Sequence, residues 1–277
     1  MSEKFHLPIL SSYDLGLFRT MGPGLGNLLF PIARALIGAE LEGGIFVAPT
    51  LRQLKIGPII RNEPDKRIYS NIFKHRSFEN WKHRAKTIYL PRFAENDEPH
   101  NIGSYTKTYA GLGNYFHDLA GHEELIKNWL WKNARLSGEL DEPYDIALHI
   151  RLGDFSKASA DSGAGHSVRQ SYEWYHGALD MAIKHIGLQN TTPRIMLFTD
   201  ENPNIIRNEF GLDAIQLDPS KNALTAISNM SKAKCIVTSR STFTMWAAFL
   251  GQTTAIWNPQ MDLANSFPIR HELDLFF

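Results

Sequence analysis

The chain has 277 residues, of which 43% are hydrophobic and 11% aromatic, which is enough to bury the core of one large domain or two modest ones. Basic and acidic residues number 29 each, so the net charge is zero, which argues against nucleic-acid binding through overall positive charge. The single cysteine, Cys235, excludes an intrachain disulfide and a cysteine-based zinc site, and it fits a reducing compartment.

The first half of the chain carries weak secondary-structure signals. A strand predicted at 15–18 runs into the glycine-rich turn GPGLGN, and a helix follows at 28–39 because its apolar residues recur at helical spacing. Pro31 is tolerated in that helix only if it lies in the first turn. The other elements predicted in this half are strands at 44–48 and 86–90, a loop-rich stretch at 51–101, and a helix at 123–135.

The second half shows a regular alternation of strands and helices after a linker predicted at 138–143. The strands are predicted at 144–150, 194–198, 214–217, 234–238 and 254–257. The helices are predicted at 172–186, 203–210, 222–232 and 241–250. This alternation predicts a doubly wound parallel sheet. We place a domain boundary near residue 140, which divides the chain into domains 1–140 and 141–277.

Three polar clusters, at 149–154, 199–201 and 238–242, stand where predicted strands end. Parallel α/β sheets bind ligands beyond the carboxyl ends of their strands, so the three clusters predict one site. Arg151 suits a phosphate or pyrophosphate, because its planar fork donates two hydrogen bonds and stays charged, although a structural ion pair with Asp154 or a neighbouring residue is the alternative.

The other two clusters each permit a ligand and a structural interpretation. The run at 238–242 joins a strand to a helix, and either Ser239 or Ser241 is a candidate N-cap. A helix N-terminus also attracts phosphate. Asp200 and Glu201 can accept hydrogen bonds from a ribose or a base, or they can cap the helix that follows.

Several functional motifs do not occur in the sequence. The spacing of Gly22, Gly24 and Gly26 is not G-x-G-x-x-G, which excludes a Rossmann oxidoreductase fingerprint. There is no phosphate-binding G-x-x-x-x-G-K-[ST] loop, no G-x-S-x-G nucleophile elbow, no D-x-D pair for a metal and no H-E-x-x-H. Cys235 falls inside a predicted strand, which argues against a nucleophilic role.

Five motifs occur together in one order along the chain. They are GPGLGNLLFPIARAL (22–36), GNYFHD (113–118), ALHIRLGDF (147–155), LFTDE (197–201) and TSRSTFTMWAAFLG (238–251). This set resembles glycosyltransferase family 11, the α-1,2-fucosyltransferases, and especially its bacterial members. The resemblance implies an α/β GT-B fold, in which two Rossmann-like domains with mostly parallel sheets face each other across a cleft. It also implies inverting transfer of fucose from GDP-fucose to a glycan hydroxyl, such as galactose O2, with no metal or other cofactor.

The resemblance also implies a role for each matched position. Arg151 would be the catalytic residue that holds the β-phosphate of the donor, and Asp154 would organise the loop around it. The other implied donor-binding residues are Ser239, Ser241 and Thr242 at the pyrophosphate, His149 with Asp200 or Glu201 at guanine or ribose, and Gly24, Gly26 and Asn27 lining the cleft.

Some positions depart from the family pattern. Leu152 replaces a second arginine, as in the protein O-fucosyltransferases, where one arginine precedes an apolar residue. The other departures are Leu28 for glutamine, Glu201 for aspartate and Met245 for tryptophan, while Trp246 is kept and is interpreted as a core residue. These departures leave open a transferase that uses another GDP-sugar, and a sugar-nucleotide-binding or glycan-binding protein that has lost catalysis.

The catalytic base is not evident in the sequence. The candidates are His117, Asp118 and His166, and a loose, dissociative transition state needs little help from a base. The N-terminus lacks a long apolar signal region, and no stretch reaches the ~18 apolar residues of a membrane span. We therefore expect a cytoplasmic enzyme, with a lipid-linked glycan precursor as one candidate acceptor and the inner membrane face as a candidate peripheral contact.

Overall fold

The computed structural model describes residues 2–11, 23–49, 69, 72–74, 78–100, 102–151, 170–211, 215–238, 241–259 and 263–277. The chain divides into two compact units, Met1–Arg135 and Leu136–Phe277. The strand predicted at 15–18 lies outside the described residues. In the part of the chain that is described, no helix is both long and apolar enough to cross a membrane.

The N-terminal unit is a parallel sheet with helices. Its elements are β1 (Lys4–Ile9), α1 (Leu25–Glu42), β2 (Ile45–Phe46), α2 (Phe78–Tyr89), β3 (Arg92–Ala94), β4 (Tyr105–Ala110), a 3₁₀ turn (Tyr115–Leu119) and α3 (Glu123–Asn133). The strand order is β2-β1-β4-β3, and every pair is parallel. One face of β1 buries Phe5 and Leu7 against Val47. The other face is polar, because His6 of β1 pairs in register with Lys107 of β4 and both are buried.

Three predictions for this unit are wrong. The stretch predicted as loop-rich at 51–101 contains α2 and β3. The strand predicted at 86–90 is the end of α2 and the turn after it, and the side chains of His83 and Lys86, one helical turn apart, both contact the ring of Phe5. Pro31 lies beyond the first turn, because α1 begins at Leu25 and not at residue 28. Burial of α1 on nearly all sides offsets the cost of the interior proline, since tertiary packing supplies most helix stability in proteins.

The C-terminal unit has a larger parallel sheet. Its elements are β5 (Ile146–Ile150), α4 (Tyr172–His185), β6 (Ile195–Thr199), α5 (Pro203–Phe210), β7 (Ile215–Leu217), α6 (Ala223–Met230), β8 (Cys235–Thr238), α7 (Thr242–Gly251), β9 (Thr254–Trp257) and β10 (Asp274–Phe276). The strand order is β10-β9-β8-β5-β6-β7, and every pair is parallel. The predicted α/β class with two parallel sheets is therefore confirmed.

The core of this unit lies on both faces of its central strands, which explains why β5 and β8 are apolar along nearly their whole length. Trp246 and Met245 are buried in α7, so the interpretation of Trp246 as a core residue is confirmed. Cys235 is also fully buried, and burial raises the pKa of its thiol to about 12, which removes the thiolate that a nucleophile needs.

Candidate active site

The C-terminal sheet has a switch point in its strand order. The chain runs from β5 outward through β6 to β7, and then returns to β8 on the other side of β5. The connections that leave β5 and β8 therefore diverge, and α/β sheets typically bind ligands in the crevice that such a divergence opens. His149 of β5 pairs in register with Thr238, the last residue of β8. The predicted polar residues thus lie where α/β sheets bind their ligands.

Arg151 and Asp200 are brought together at this edge. They directly follow Ile150 and Thr199, which are register partners in β5 and β6. The Nε atom of Arg151 lies 4.0 Å from Oδ2 of Asp200, and both side chains are partly exposed, at 30% and 42%. The contact is a long ion pair at a solvent-accessible position, and such pairs contribute little to stability. The side chain of Arg151 therefore lies beside the carboxyl ends of β5 and β6 and is partly accessible to solvent.

His149 lies beneath the edge, with only 7% of its surface exposed. Its Nδ1 atom lies 2.7 Å from Oγ1 of Thr244 in α7 and 3.3 Å from Oγ1 of Thr238, and its ring is tilted by 32° against Phe243. Burial lowers the pKa of His149 to about 4, and the positive charge of Arg151 acts in the same direction while Asp200 opposes it. The imidazole is therefore neutral at physiological pH.

The N-terminus of α7 lies at the same edge, and the first backbone N–H groups of a helix have no partner within the helix itself. Ser241 is the N-cap, because its side chain accepts a hydrogen bond from the backbone N–H of Phe243 at 3.3 Å. Thr242 is the first helical residue and is partly exposed. The predicted alternative that Ser241 caps this helix is confirmed. The remaining N–H groups and the partial positive charge of the helix end favour a phosphate.

The carboxylate of Glu201 is used locally. Its Oε1 accepts a hydrogen bond from the backbone N–H of Asn202, and its own backbone N–H donates to Oγ1 of Thr199. The helix cap predicted for Asp200 or Glu201 is instead Asn202, whose side chain accepts from the N–H of Asn204. Pro203 takes the first helical position, which made the start of α5 predictable, although the capping residue itself was missed.

The three predicted residues of the N-terminal unit lie at the start of α1. Gly24 precedes the helix with an extended backbone, and a Cβ atom placed there would meet nothing within 4 Å. Gly26 is buried in the first turn. The Oδ1 atom of Asn27 is buried and has no hydrogen-bond partner among the described residues. These residues belong to the N-terminal unit, whereas Arg151, His149 and the α7 terminus belong to the C-terminal unit.

The structure describes two of the three candidate bases. His117 and Asp118 lie in the 3₁₀ turn after β4, and both are exposed. Oδ2 of Asp118 accepts a hydrogen bond from the backbone N–H of Asn114 at 2.7 Å, so the carboxylate stabilises its own turn. Asp154, Leu152, His166 and Ser239 lie outside the described residues.

Two polar features of this edge were not predicted from the sequence. One is the Thr244 hydroxyl against His149. The other is Asn258, directly after β9, whose amide donates to Oε1 of Gln170 at 2.7 Å. The rule that polar residues follow the ends of parallel strands would have found Asn258. Among the described residues, no three His, Cys, Asp or Glu side chains gather in a way that could hold a metal ion.

Neither a protein-family model nor the sequence of a curated protein matches the chain. Similar solved structures are fucosyltransferases. A crystal structure of NodZ α-1,6-fucosyltransferase soaked with GDP-fucose is 15% identical over 95% of this chain and 97% of that one, with a TM-score of 0.45. A structure of the NodZ enzyme from Bradyrhizobium is 14% identical over 90% and 94%, with a TM-score of 0.40. POFUT1 in complex with GDP is 11% identical over 92% and 98%, with a TM-score of 0.46.

Proposed function

We propose that the chain is a fucosyltransferase that transfers fucose from GDP-fucose to a hydroxyl group of a glycan. The observation that carries the proposal is the set of groups at the switch point of the C-terminal sheet: Arg151 beside Asp200, neutral His149, and the N-terminus of α7. A cation, hydrogen-bonding side chains and a helix N-terminus at one edge fit a nucleoside diphosphate. The five ordered motifs resemble those of fucosyltransferases, and this resemblance supports fucose as the sugar that is transferred.

Arg151 acts on the leaving group. As the bond between sugar and phosphate breaks, GDP gains negative charge and the sugar becomes oxocarbenium-like. A guanidinium held at the β-phosphate stabilises the charge that develops, so it lowers the barrier more than it strengthens ground-state binding. Arginine keeps its charge at any working pH, so this contribution does not titrate.

The other groups bind the nucleotide. Ser241, Thr242 and the first N–H groups of α7 contact the pyrophosphate, while His149 and Asp200 contact guanine or ribose. Asp200 lies beside Arg151, so we assign it a larger role than Glu201, whose carboxylate accepts from the backbone of Asn202. Ser239 and Asp154 keep the roles that the resemblance implies, at the pyrophosphate and in the Arg151 loop. In the N-terminal unit, Gly24, Gly26 and Asn27 keep the donor-binding role that the resemblance implies.

The finer features of the reaction rest on the resemblance alone. We propose inversion at the sugar carbon, an α-1,2 linkage to galactose O2, and catalysis without a metal. Product linkage and anomeric configuration can be read by NMR after incubation with GDP-fucose and a galactose-terminated glycan. An α-linked fucose on galactose O2, formed in EDTA, is expected, because GDP-fucose carries the β-linkage that inversion converts. A β-linked product, another linkage, or dependence on a metal would overturn these assignments.

The first experiment is calorimetric titration with GDP in EDTA, with ADP and UDP as controls. We expect GDP to bind at least about tenfold more tightly than the other two. No GDP binding, or equal binding of all three nucleotides, would overturn the proposal. A turnover assay then compares GDP-fucose with GDP-mannose, so that faster use of GDP-mannose identifies another GDP-sugar transferase, and GDP binding without turnover identifies a binding protein.

A further inference from the structure

Among the described residues, the hydroxyl group of Thr244 has one hydrogen-bond partner. Thr244 lies in the first turn of α7 and is fully buried, and its Oγ1 atom is 2.7 Å from Nδ1 of His149. No other residue in the described part of the chain forms a hydrogen bond with this hydroxyl. The single contact determines where its proton points.

Two arrangements of protons fit a contact of 2.7 Å. Either the hydroxyl of Thr244 donates to Nδ1, or Nδ1–H donates to the hydroxyl. The second arrangement leaves the O–H of Thr244 as a buried donor without an acceptor, which is strongly disfavoured in a protein interior. The hydroxyl therefore donates, and Nδ1 is an acceptor that carries no proton.

The protonation of the ring follows from this. Nδ1 carries no proton, and a neutral imidazole has one proton on its two nitrogens. Burial keeps His149 neutral, so the proton is on Nε2. Oγ1 of Thr238 approaches the same Nδ1 atom at 3.3 Å, so both threonine hydroxyls face one side of the ring. Within the described residues, no hydrogen bond reaches Nε2.

We infer that Thr244 is a positioning residue that holds His149 as the Nε2–H tautomer, so that the ring offers a hydrogen-bond donor to the ligand at this edge. The atom of the ligand opposite His149 must then be an acceptor. Guanine O6 and N7 and the ribose oxygens meet this requirement, whereas an exocyclic amine does not. The part of the inference that concerns GDP rests on the proposed function, while the tautomer itself does not.

The tautomer is tested by NMR on protein labelled with ¹⁵N at histidine, without any nucleotide. Long-range ¹H–¹⁵N spectra distinguish a protonated ring nitrogen from a bare one, and the His149 signals are assigned by their loss in H149N. We expect bare Nδ1 and protonated Nε2 in the wild type and in T244S, which keeps the hydroxyl. In T244V we expect averaged shifts, because the Val side chain has a similar shape and no donor. Protonated Nδ1 in the wild type, or a T244V spectrum equal to the wild type, would overturn the inference.

The consequence for binding is tested by GDP titration. We expect T244V to weaken GDP binding by about tenfold and T244S to stay within about twofold of the wild type. The matched control is T106V, because Thr106 is fully buried in β4 and its hydroxyl has no hydrogen-bond partner among the described residues. T106V should bind GDP as the wild type does.

The two tests separate two failures. If the wild type does not bind GDP, the proposed function fails, and the NMR spectra still decide the tautomer. If the wild type binds GDP and T244V binds it equally well, the positioning role of Thr244 is wrong although the proposed function stands. A loss of binding in T106V equal to that in T244V would also overturn the positioning role, since it would show a general effect of removing a buried hydroxyl.

Discussion

Each unit of the molecule contains a buried histidine with the same local chemistry. His6 lies in β1 with Nδ1 2.8 Å from the hydroxyl of Tyr109, and His149 lies in β5 with Nδ1 2.7 Å from that of Thr244. The pKa of each is lowered to about 4, chiefly because burial penalises the charged imidazolium. A shifted pKa therefore does not distinguish a functional histidine from a structural one in this protein.

The two histidines differ in their position along the strand. His6 lies inside the sheet, and the Nε2 atom of His6 is buried with no hydrogen-bond partner among the described residues. In the same cluster, the carboxylate of Glu42 accepts hydrogen bonds from Lys107, at 2.7 Å, and from Tyr105. A Cβ atom at Gly38 would overlap the Tyr109 hydroxyl, so α1 closes tightly over this cluster. His149 is the last residue but one of its strand, next to the crevice. We therefore expect His6 to serve stability and His149 to serve binding.

The largest effect is expected at Arg151. R151A should lower kcat/KM for GDP-fucose by about 100-fold or more, because it removes a fixed cation from a developing negative charge. R194A is the control, since Arg194 precedes β6 at the opposite edge of the same sheet and pairs with exposed Glu142. R194A should act as the wild type, and near-normal turnover by R151A would remove Arg151 from the mechanism.

Both histidines should make the protein sensitive to acid. The unfolded chain protonates each imidazole near pH 6.5 and the folded chain only near pH 4, so the unfolded state binds more protons between these values. The folded state therefore keeps its full stability above pH 6.5. As the pH falls to about 4, the free energy of unfolding decreases by at most about 3 kcal/mol for each histidine.

Urea unfolding at a series of pH values measures this loss. We expect a shallower decline below pH 6.5 in H6N and in H149N than in the wild type, whereas H100N, at an exposed position, should follow the wild type. A decline of equal slope in all four proteins would show that other groups control the acid transition.

H6A should lower the free energy of unfolding by about 1–3 kcal/mol. The change opens a cavity in the sheet and leaves the buried hydroxyl of Tyr109 without its partner. The affinity for GDP should not change, because His6 belongs to the interior of the other unit. Denaturant unfolding and calorimetry measure the two quantities, and a weaker GDP affinity at unchanged stability would reverse the role given to His6.

H149N should produce the opposite result. The side-chain oxygen of asparagine can accept from Thr244 in place of Nδ1, so the buried hydroxyl keeps a partner and we expect a small change in stability. The donor at Nε2 is lost, and GDP affinity should fall by about tenfold. Titration and unfolding of the same sample give both values, and an unchanged affinity would show that the ring of His149 does not contact the nucleotide.

The sequence predicted the C-terminal unit better than the N-terminal one, and the reason is physical. β5, β6 and β8 are short apolar runs buried on both faces, and each is followed by a helix with local start signals, so nearby residues suffice to predict them. In β1 and β4, Lys4, His6 and Lys107 break the apolar pattern. The two lysines are accommodated because Glu42, at the end of α1, accepts hydrogen bonds from Lys4 through its carbonyl group and from Lys107 through its carboxylate. Glu42 is distant from both strands in the sequence.

The same distinction applies to the candidate site. The sequence by itself determined which residues stand at the ends of parallel strands, since strand order and register then bring Arg151, Asp200 and the α7 cap to one edge. Only the tertiary structure decided that His149 is buried and neutral and that the hydroxyl group of Thr244, 95 residues away, lies 2.7 Å from its Nδ1. Desolvation and the direction of a hydrogen bond depend on what surrounds a side chain in space, and a strand-end pattern contains no information about those neighbours.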